Sequence, residues 1–262
     1  MLLSGYEVLR VFRLNLLSRI WFRSTIYETV VIWQNSHMDY PLGVTQSVPL
    51  YNRYKGDLPM FLLVSGAAAS GKSTVAKNLS TRLENLVCHD YDERKVTDEY
   101  TRCQQLEDWV QLALTCQQEG RDFLLTSHSP LGELLACPSA RKLIGISACL
   151  LDCSDPDRIQ RMRKRGIDPR WPPTQDVLNW SSWHRMHAWD PQWEQQVIIG
   201  NGPPEHNYDC WIHWKQNDLR WAVSVMDTTG TDVDLMLDKM AAWVESERDK
   251  TPLLTPDTKW WE

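Results

Sequence analysis

The chain has no uninterrupted apolar stretch of the roughly 18–20 residues that a membrane-crossing helix requires. The region that comes nearest, residues 1–33, is interrupted by Arg10, Arg13, Arg19 and Arg23. The same charges break the apolar core of a secretory leader, so neither a span nor a secretion signal is expected. Its seven cysteines include no C-x-x-C pair and no Cys/His cluster at metal-ligand spacing, which excludes a structural zinc site of the usual kind. With no disulfide pattern either, the thiols point to a reducing, cytoplasmic setting. Positive charge is in deficit: Lys and Arg number 28 against 34 Asp and Glu, a net charge of −6. That balance argues against a general nucleic-acid binder. Tryptophan, by contrast, is abundant: there are 14, concentrated from Trp171 onward.

What the sequence does contain is one sharply defined stretch, Met60 to Leu79. Phe61-Leu62-Leu63-Val64 is an apolar run short enough for a fully buried strand. It leads through Gly66-Ala67-Ala68-Ala69-Ser70-Gly71-Lys72-Ser73-Thr74 into a helical sequence. That is G-x-x-x-x-G-K-S in the strand–loop–helix setting a phosphate-binding loop requires. Gly66 and Gly71 allow backbone angles that wrap an anion. The N–H groups of the loop and of the helix start then aim at phosphate oxygens. Lys72 is expected to reach the β- and γ-phosphates and Ser73 to ligate Mg²⁺. No Asn-Lys-x-Asp guanine signature occurs, so ATP is the expected nucleotide.

Taken in order, residues 1–57 read as an Arg-rich arm or extension outside the working domain, which spans 58–248. A helix is expected over 73–84, with Val75, Leu79 and Leu83 on one face. The second strand, around 86–89, ends in Asp90-Tyr91-Asp92. In an open α/β sheet, strand carboxyl ends line the ligand crevice. Asp90 there is the expected Mg²⁺ ligand, because no apolar run ending in Asp closes the third strand, 121–126. Asp92 is expected one step further out, over an acceptor hydroxyl, provided the backbone stays extended and both side chains point the same way. Residues 93–119 read as mostly helical, with Leu106, Val110, Leu112 and Leu114 buried, and His128 lies in the loop after the third strand. The fourth strand, 143–152, runs into a capped helix bearing Arg158, Arg161, Arg163 and Arg165. Guanidinium groups at that point suit a clamp on phosphate charge. Residues 167–220 read as a Trp-, Pro- and His-rich insertion: a helix over 176–188, an extended 197–199, and a hairpin of 209–214 with 219–223. Its aromatics either stack a planar substrate or build their own core. A last strand, 222–226, ends in Asp227-Thr228-Thr229-Gly230 before a final helix, and 249–262 form a tail that is loose or docked back.

The four ordered features (the glycine-bounded loop, Asp90-x-Asp92, the arginine helix and the Asp227-Thr228 loop) resemble the P-loop small-molecule kinases, a group that includes shikimate and gluconate kinases, chloramphenicol phosphotransferase and adenylate-kinase-like enzymes. The resemblance covers Met60 to about Arg248. It implies a three-layer α/β/α fold with about five parallel strands and a Trp-rich lid. It implies ATP-dependent, Mg²⁺-assisted transfer of the γ-phosphate to a small-molecule hydroxyl. It places Arg158, Arg161 and Arg165 on the transferring phosphate and Asp227 and Thr228 near the adenine. Two other functions fit parts of the pattern: a polynucleotide 5′-hydroxyl kinase, and a non-catalytic nucleotide-binding module. Neither a stable nucleic-acid partner nor a membrane span is expected. The Trp-rich insertion and residues 1–57 match nothing in the group. If the arm lies outside the working domain, a chain beginning at Met60 should unfold at the same denaturant midpoint as the full chain. Aggregation of the shortened chain would move the boundary.

Overall fold

The computed structural model describes residues 58–94, 101–166, 172–199 and 203–262. The arm 1–57, residues 95–100 of the helix expected over 93–119, and 167–171 and 200–202 of the insertion lie outside the described residues; Glu93 ends a 3₁₀ turn and Arg94 is extended, so the expected helix does not begin there. The strands are β1 (Phe61–Ser65), β2 (Leu86–Asp90), β3 (Asp122–Ser127), β4 (Ile146–Asp152) and β5 (Val223–Asp227). The helices are α1 (Lys72–Asn78), α2 (Arg102–Gln118), α3 (Leu131–Ala136), α4 (Asp155–Lys164), α5 (Gln175–Trp189), α6 (Gln196–Ile199) and α7 (Val233–Arg248).

All strand pairs are parallel, in the order β2-β3-β1-β4-β5. Because helices cover both faces of such a sheet, its inner strands are apolar without alternation. Thus β1 is buried at every position. Leu62, Val64, Leu124, Cys149 and Leu151 face one way, against Val75 of α1 and Met236, Leu237, Met240 and Val244 of α7. Phe61, Leu63, Phe123, Leu125 and Ala148 face the other, against α2, α3 and the tryptophans. The result is the expected three-layer α/β/α sandwich. From β1 the chain passes over β3 to reach β2, and every later crossover runs the opposite way. The loop after β1 therefore lies where the winding reverses, the usual place for a ligand in an open sheet.

Several elements depart from expectation. The helix expected over 73–84 ends at Asn78 and tightens into one 3₁₀ turn, Leu79–Thr81. Residues 196–199 are helical rather than extended. The hairpin of 209–214 with 219–223 does not form: Tyr208–Cys210 is a 3₁₀ turn, and the strand begins only at Val223. Packing overrides local strand preference there, because the aromatic side chains are drawn inward from both sides instead of alternating.

These aromatics form a continuous chain, buried except at Trp180. Trp180 stacks on Trp183 (4.9 Å between centroids) and Trp183 on His187 (4.6 Å). His187 meets Trp211 and Trp221 edge to face, and Trp214 bridges Trp221 to Trp260. Trp260 is 1% exposed, so the tail 249–262 is docked back on the core. Leu112 and Leu114, expected in the core, are only partly buried at its margin.

The Trp211 ring packs closely on Gly132 of α3, where an added Cβ would overlap its six-membered ring. Gly132→Ala should therefore lower stability by about 1–3 kcal/mol, the usual cost of overpacking, despite the better helix propensity of alanine. Denaturant unfolding checks this, and a neutral or stabilising result would contradict the packing.

Candidate functional site

The strand carboxyl ends converge on the loop 66–73. An added Cβ on Gly66 would collide with the Leu151 carbonyl, so the loop approaches β4 more closely than any side chain permits. Gly71 has φ +111°, a conformation in which glycine is strongly favoured, and it leads directly into α1. Ala69 adopts the left-handed region with φ +62°.

The carbonyls of residues 67–70 are each held by a donor. Lys72 Nζ donates to Ala67 O at 2.9 Å. Arg158 Nη1 donates to Ala68 O, and Arg161 Nη1 to Ala69 O at 3.3 Å. Thr228 Oγ1 donates to Ser70 O at 3.1 Å. Among the described residues no acceptor meets the backbone N–H groups of 68–73. With its carbonyls drawn to one side, the loop presents its N–H groups on the other, which is the arrangement of an anion nest. A cleft of about 510 Å³ opens there, lined by Lys72, Ser73, Asp90, Asp92 and Arg165 among others. A second cleft of about 430 Å³ adjoins the loop, lined by Arg161, Arg165, Thr228, Val233 and Met236.

Arg158 therefore occupies a position different from that expected of a direct phosphate ligand, whereas Thr228 lines the second cleft with its hydroxyl turned onto the loop. Arg158 is fully buried; besides the loop it binds the Asp152 carboxylate at 2.5 Å and Cys153 O at 3.2 Å. It props the loop from beneath. Thr228 is also buried: its hydroxyl is within reach of Asp152 O and accepts from Arg161. The exposed Asp227 carboxylate caps its own loop at Thr229 N, 2.8 Å away. Arg161 is half-buried, tied to Thr228 O and to Asp157. Arg165, exposed and shared by both clefts, is the arginine of the three placed to meet a ligand.

The acidic stretch also differs from its expected form. The strand stops at Asp90, and Tyr91–Glu93 turn as a 3₁₀ helix, so the two carboxylates are not on one extended face. Asp90 caps the turn, accepting from Asp92 N at 3.1 Å, while Glu93 accepts from Asp90 N. Both Asp90 and Asp92 nevertheless line the 510 Å³ cleft. The turn is fixed from α2: buried Gln105 donates to Tyr91 O at 2.8 Å and to Arg94 O at 3.1 Å.

Gln105 gave no sign of this role in the sequence. Nor did Arg185, which reaches across to Asp152 at 3.1 Å. Asp152 itself carries a legible signal, an apolar run ending in Asp, but on β4 rather than on the third strand. Its charge is spent on Arg158 and Arg185.

Electrostatics couple these groups. Burial pushes the Lys72 ammonium down to about 8; Asp90 and Asp92 oppose the shift, and Arg158 and Arg165 add to it. The Asp92 carboxyl is raised, first by its loss of solvent and then by the charge of Asp90, with Lys72 pulling the other way. His128 is driven down to about 3, by burial first and then by Arg102 and Lys72. Among the described residues, no helix is long and apolar enough to cross a membrane.

No protein-family model and no curated protein matches the chain. Solved structures similar to it include a sugar kinase from Janibacter sp. HTCC2649, at 15% identity and TM-score 0.41, covering 76% of this chain and 98% of that one. Another is thymidylate kinase from Candida albicans, at 12% identity and TM-score 0.39, covering 73% and 93%. A third is an uncharacterized protein from Eubacterium ventriosum ATCC 27560, at 15% identity and TM-score 0.40, covering 71% and 99%. At such distances the chemistry has to be read from the site.

A polyanion at the loop favours charged Lys72 and so raises its pKa above that of the free protein. Above pH 8 the free ammonium has lost its proton, and binding must then take one up. Affinity for inorganic triphosphate should accordingly fall from pH 8 to 9.5, approaching tenfold per pH unit at the steepest. Calorimetric titrations across that range check the sign, and Lys72→Met should flatten the dependence.

Proposed function

We propose that the chain is an ATP-dependent kinase that transfers the γ-phosphate to a hydroxyl of a small molecule. The observation that carries this reading is the loop 66–73, with its carbonyls tethered on one side and its N–H groups facing a cleft shared with two carboxylates. In this reading it is a P-loop. The N–H groups of 68–73, with Thr74 behind them in α1, hold the phosphates, and the Lys72 ammonium bridges β- and γ-oxygens. The adjoining 430 Å³ cleft takes the nucleoside, with Thr228 in its lining and Asp227 preceding it in the same loop.

The residues present suit Mg²⁺ shared with phosphate. The Ser73 hydroxyl and the Asp90 carboxylate line one cleft, and no cluster of three metal-ligating side chains occurs among the described residues. An ion of this kind keeps several waters and takes only one or two protein oxygens. Mg²⁺ bound there would neutralise charge on the β- and γ-oxygens. Asp92, its carboxyl raised toward neutrality, accepts the acceptor's proton more readily than an ordinary solvated carboxylate would. Arg165, at the junction of the clefts, offsets charge on the transferring group, and Arg161 supports it from the base side. Catalysis is then chiefly positioning and electrostatics. The Trp-rich segment, as a lid, closes with its aromatics packed on one another rather than laid open to a strand of bases, which favours a small acceptor over a polynucleotide. A module that only bound nucleotide would need no carboxylate pair in its cleft.

Lys72→Ala should abolish ATP-dependent thermal stabilisation and lower turnover by about 100-fold or more, the scale of removing one preorganised donor from such a site. Asp92→Asn should leave ATP affinity within about twofold while acceptor phosphorylation falls roughly 100-fold. Asp90→Asn should weaken ATP affinity and Mg²⁺ dependence together. Metal and ATP titrations on the three variants, with ATP consumption measured over hydroxylated metabolites, decide the matter. Undiminished turnover in Lys72→Ala would end the kinase reading.

A further inference from the structure

Beside Lys72 and the 90–92 turn, five side chains from four segments meet. They are Arg102 in the first turn of α2, His128 after β3, Glu133 in α3, and Trp180 and His184 on α5. Tyr91, between the two carboxylates, ties them to the cleft. Its ring edge packs on His128 (centroids 4.8 Å apart) and its hydroxyl donates to Arg102 O at 2.7 Å. Arg102 pairs with Glu133, and its guanidinium carbon lies 6.0 Å from the Trp180 ring. Trp180 in turn meets His184 edge to face at 4.7 Å. The rim is half-exposed, formed by Arg102, His128 and Trp180; the floor, Glu133 and His184, is buried.

That floor is under-satisfied. Glu133 is 1% exposed and, apart from its ion pair with Arg102, its carboxylate oxygens take part in no hydrogen bond. His184 is 3% exposed and its Nε2 has no partner. A buried carboxylate holding one cation and a buried imidazole nitrogen holding nothing are costly unless a ligand completes them.

We propose that this cluster is the acceptor subsite of the kinase described above, and that the acceptor is an uncharged polyhydroxylated ring, a sugar or cyclitol. The inference rests on the kinase reading. Ring hydroxyls would donate to the free Glu133 oxygen and bridge His184 Nε2, and the C–H face of the ring would lie on Trp180. The charges bordering the cluster argue against an anionic acceptor. Arg102 is paired with Glu133, Arg94 with Asp108, and Arg185 with Asp152 and Asp155. Lys72 serves the phosphates, while Asp90 and Asp92 repel a carboxylate. The imidazoles of His128 and His184, both shifted down, are neutral donor–acceptor groups at neutral pH, which suits hydroxyls. In the transfer, the bond from γ-phosphorus to the β–γ bridging oxygen breaks and a bond to the acceptor oxygen forms. The hydroxyl proton passes to Asp92 and then to solvent, and ADP departs.

The test is steady-state ATP consumption by the full chain with D-glucose, D-ribose and myo-inositol as uncharged rings. D-gluconate, D-glucosamine and thymidine serve as anionic, cationic and nucleoside counterparts. An uncharged ring should saturate turnover at lower concentration than its charged counterparts. Glu133→Gln should raise KM for that ring at least tenfold while KM for ATP stays within twofold. Trp180→Leu, at a half-buried position with no ion pair to strand, should do the same, and thermal melts verify that both variants fold. Preference for gluconate, glucosamine or thymidine overturns the inference. So does unchanged KM in both variants, or saturation by none of the uncharged rings while ATP still binds. Each of those outcomes leaves the kinase reading standing as long as Lys72→Ala abolishes ATP stabilisation; if it does not, the kinase reading fails first.

Discussion

The buried guanidinium of Arg158 holds the site together. With no contact to water, it must satisfy its charge inside the protein, and it does so on the Asp152 carboxylate, the Cys153 carbonyl and the loop carbonyl of Ala68. A buried cation is tolerable only with partners of this quality. Because one of those partners is the loop itself, satisfying the charge also fixes the loop's orientation. Asp152 carries the constraint outward to Arg185 on α5, so the β4 carboxyl end, the loop after β1 and the helix bearing Trp180 and His184 are joined through one carboxylate. Removing Arg158 would leave Asp152 with Arg185 alone and take the guanidinium donor from the Ala68 and Cys153 carbonyls.

The parts of this arrangement that could be read from residues were those whose chemistry depends on neighbours in sequence. The apolar strands and a helix cap at Ser154 or Asp155 are local signals; the strands fall within three residues of their expected bounds, and the cap falls on Ser154. The arginine helix was legible too, but not the division of labour within it. Arg158 and Arg165 are seven residues apart, one in the first turn of α4 and the other capping its end, and the packing of α4 against the loop sends the first inward and leaves the second exposed. Likewise the capping habit of Asp90 turned an expected extended pair into a 3₁₀ turn, because a carboxylate beside free N–H groups bonds them in preference to extending. Gln105, Glu133, His184 and Arg185 were invisible for a plainer reason. Gln105, Glu133 and Arg185 are ordinary helical residues whose partners lie on other segments, and His184 is a helical residue whose ring packs on tryptophans of its own helix.

Tryptophan abundance had two readings, and structure separates them by position. Trp211, Trp214 and Trp260 fill the face of the sheet away from the loop and are sealed from solvent, their indole N–H groups unpaired. Burying ring area of this size outweighs one lost hydrogen bond per ring. Trp180, at the end of the same stacked chain, is half-exposed and faces Arg102. The aromatic column thus runs from the deep core at Trp260 and Trp214 to half-exposed Trp180, with α5 carrying only its outer end.

The sequence distances spanned by the loop's supports bear on how the protein is made. Residues 66–73 lie early in the described chain, yet the Arg158 and Thr228 contacts to that loop are 90 and 158 residues downstream. Its parent strand β1 pairs with β3 and β4 rather than with β2. Contacts so distant along the chain close late, after the entropy of long loops has been overcome. During synthesis, α1 and the first strands would leave the ribosome with the loop's carbonyls still untethered. The nest would acquire its shape only when β5 and the Thr228 turn had emerged. Competence to hold a polyanion would then appear in a single late step, making ligand capture by nascent chains a marker for completion of the whole sheet.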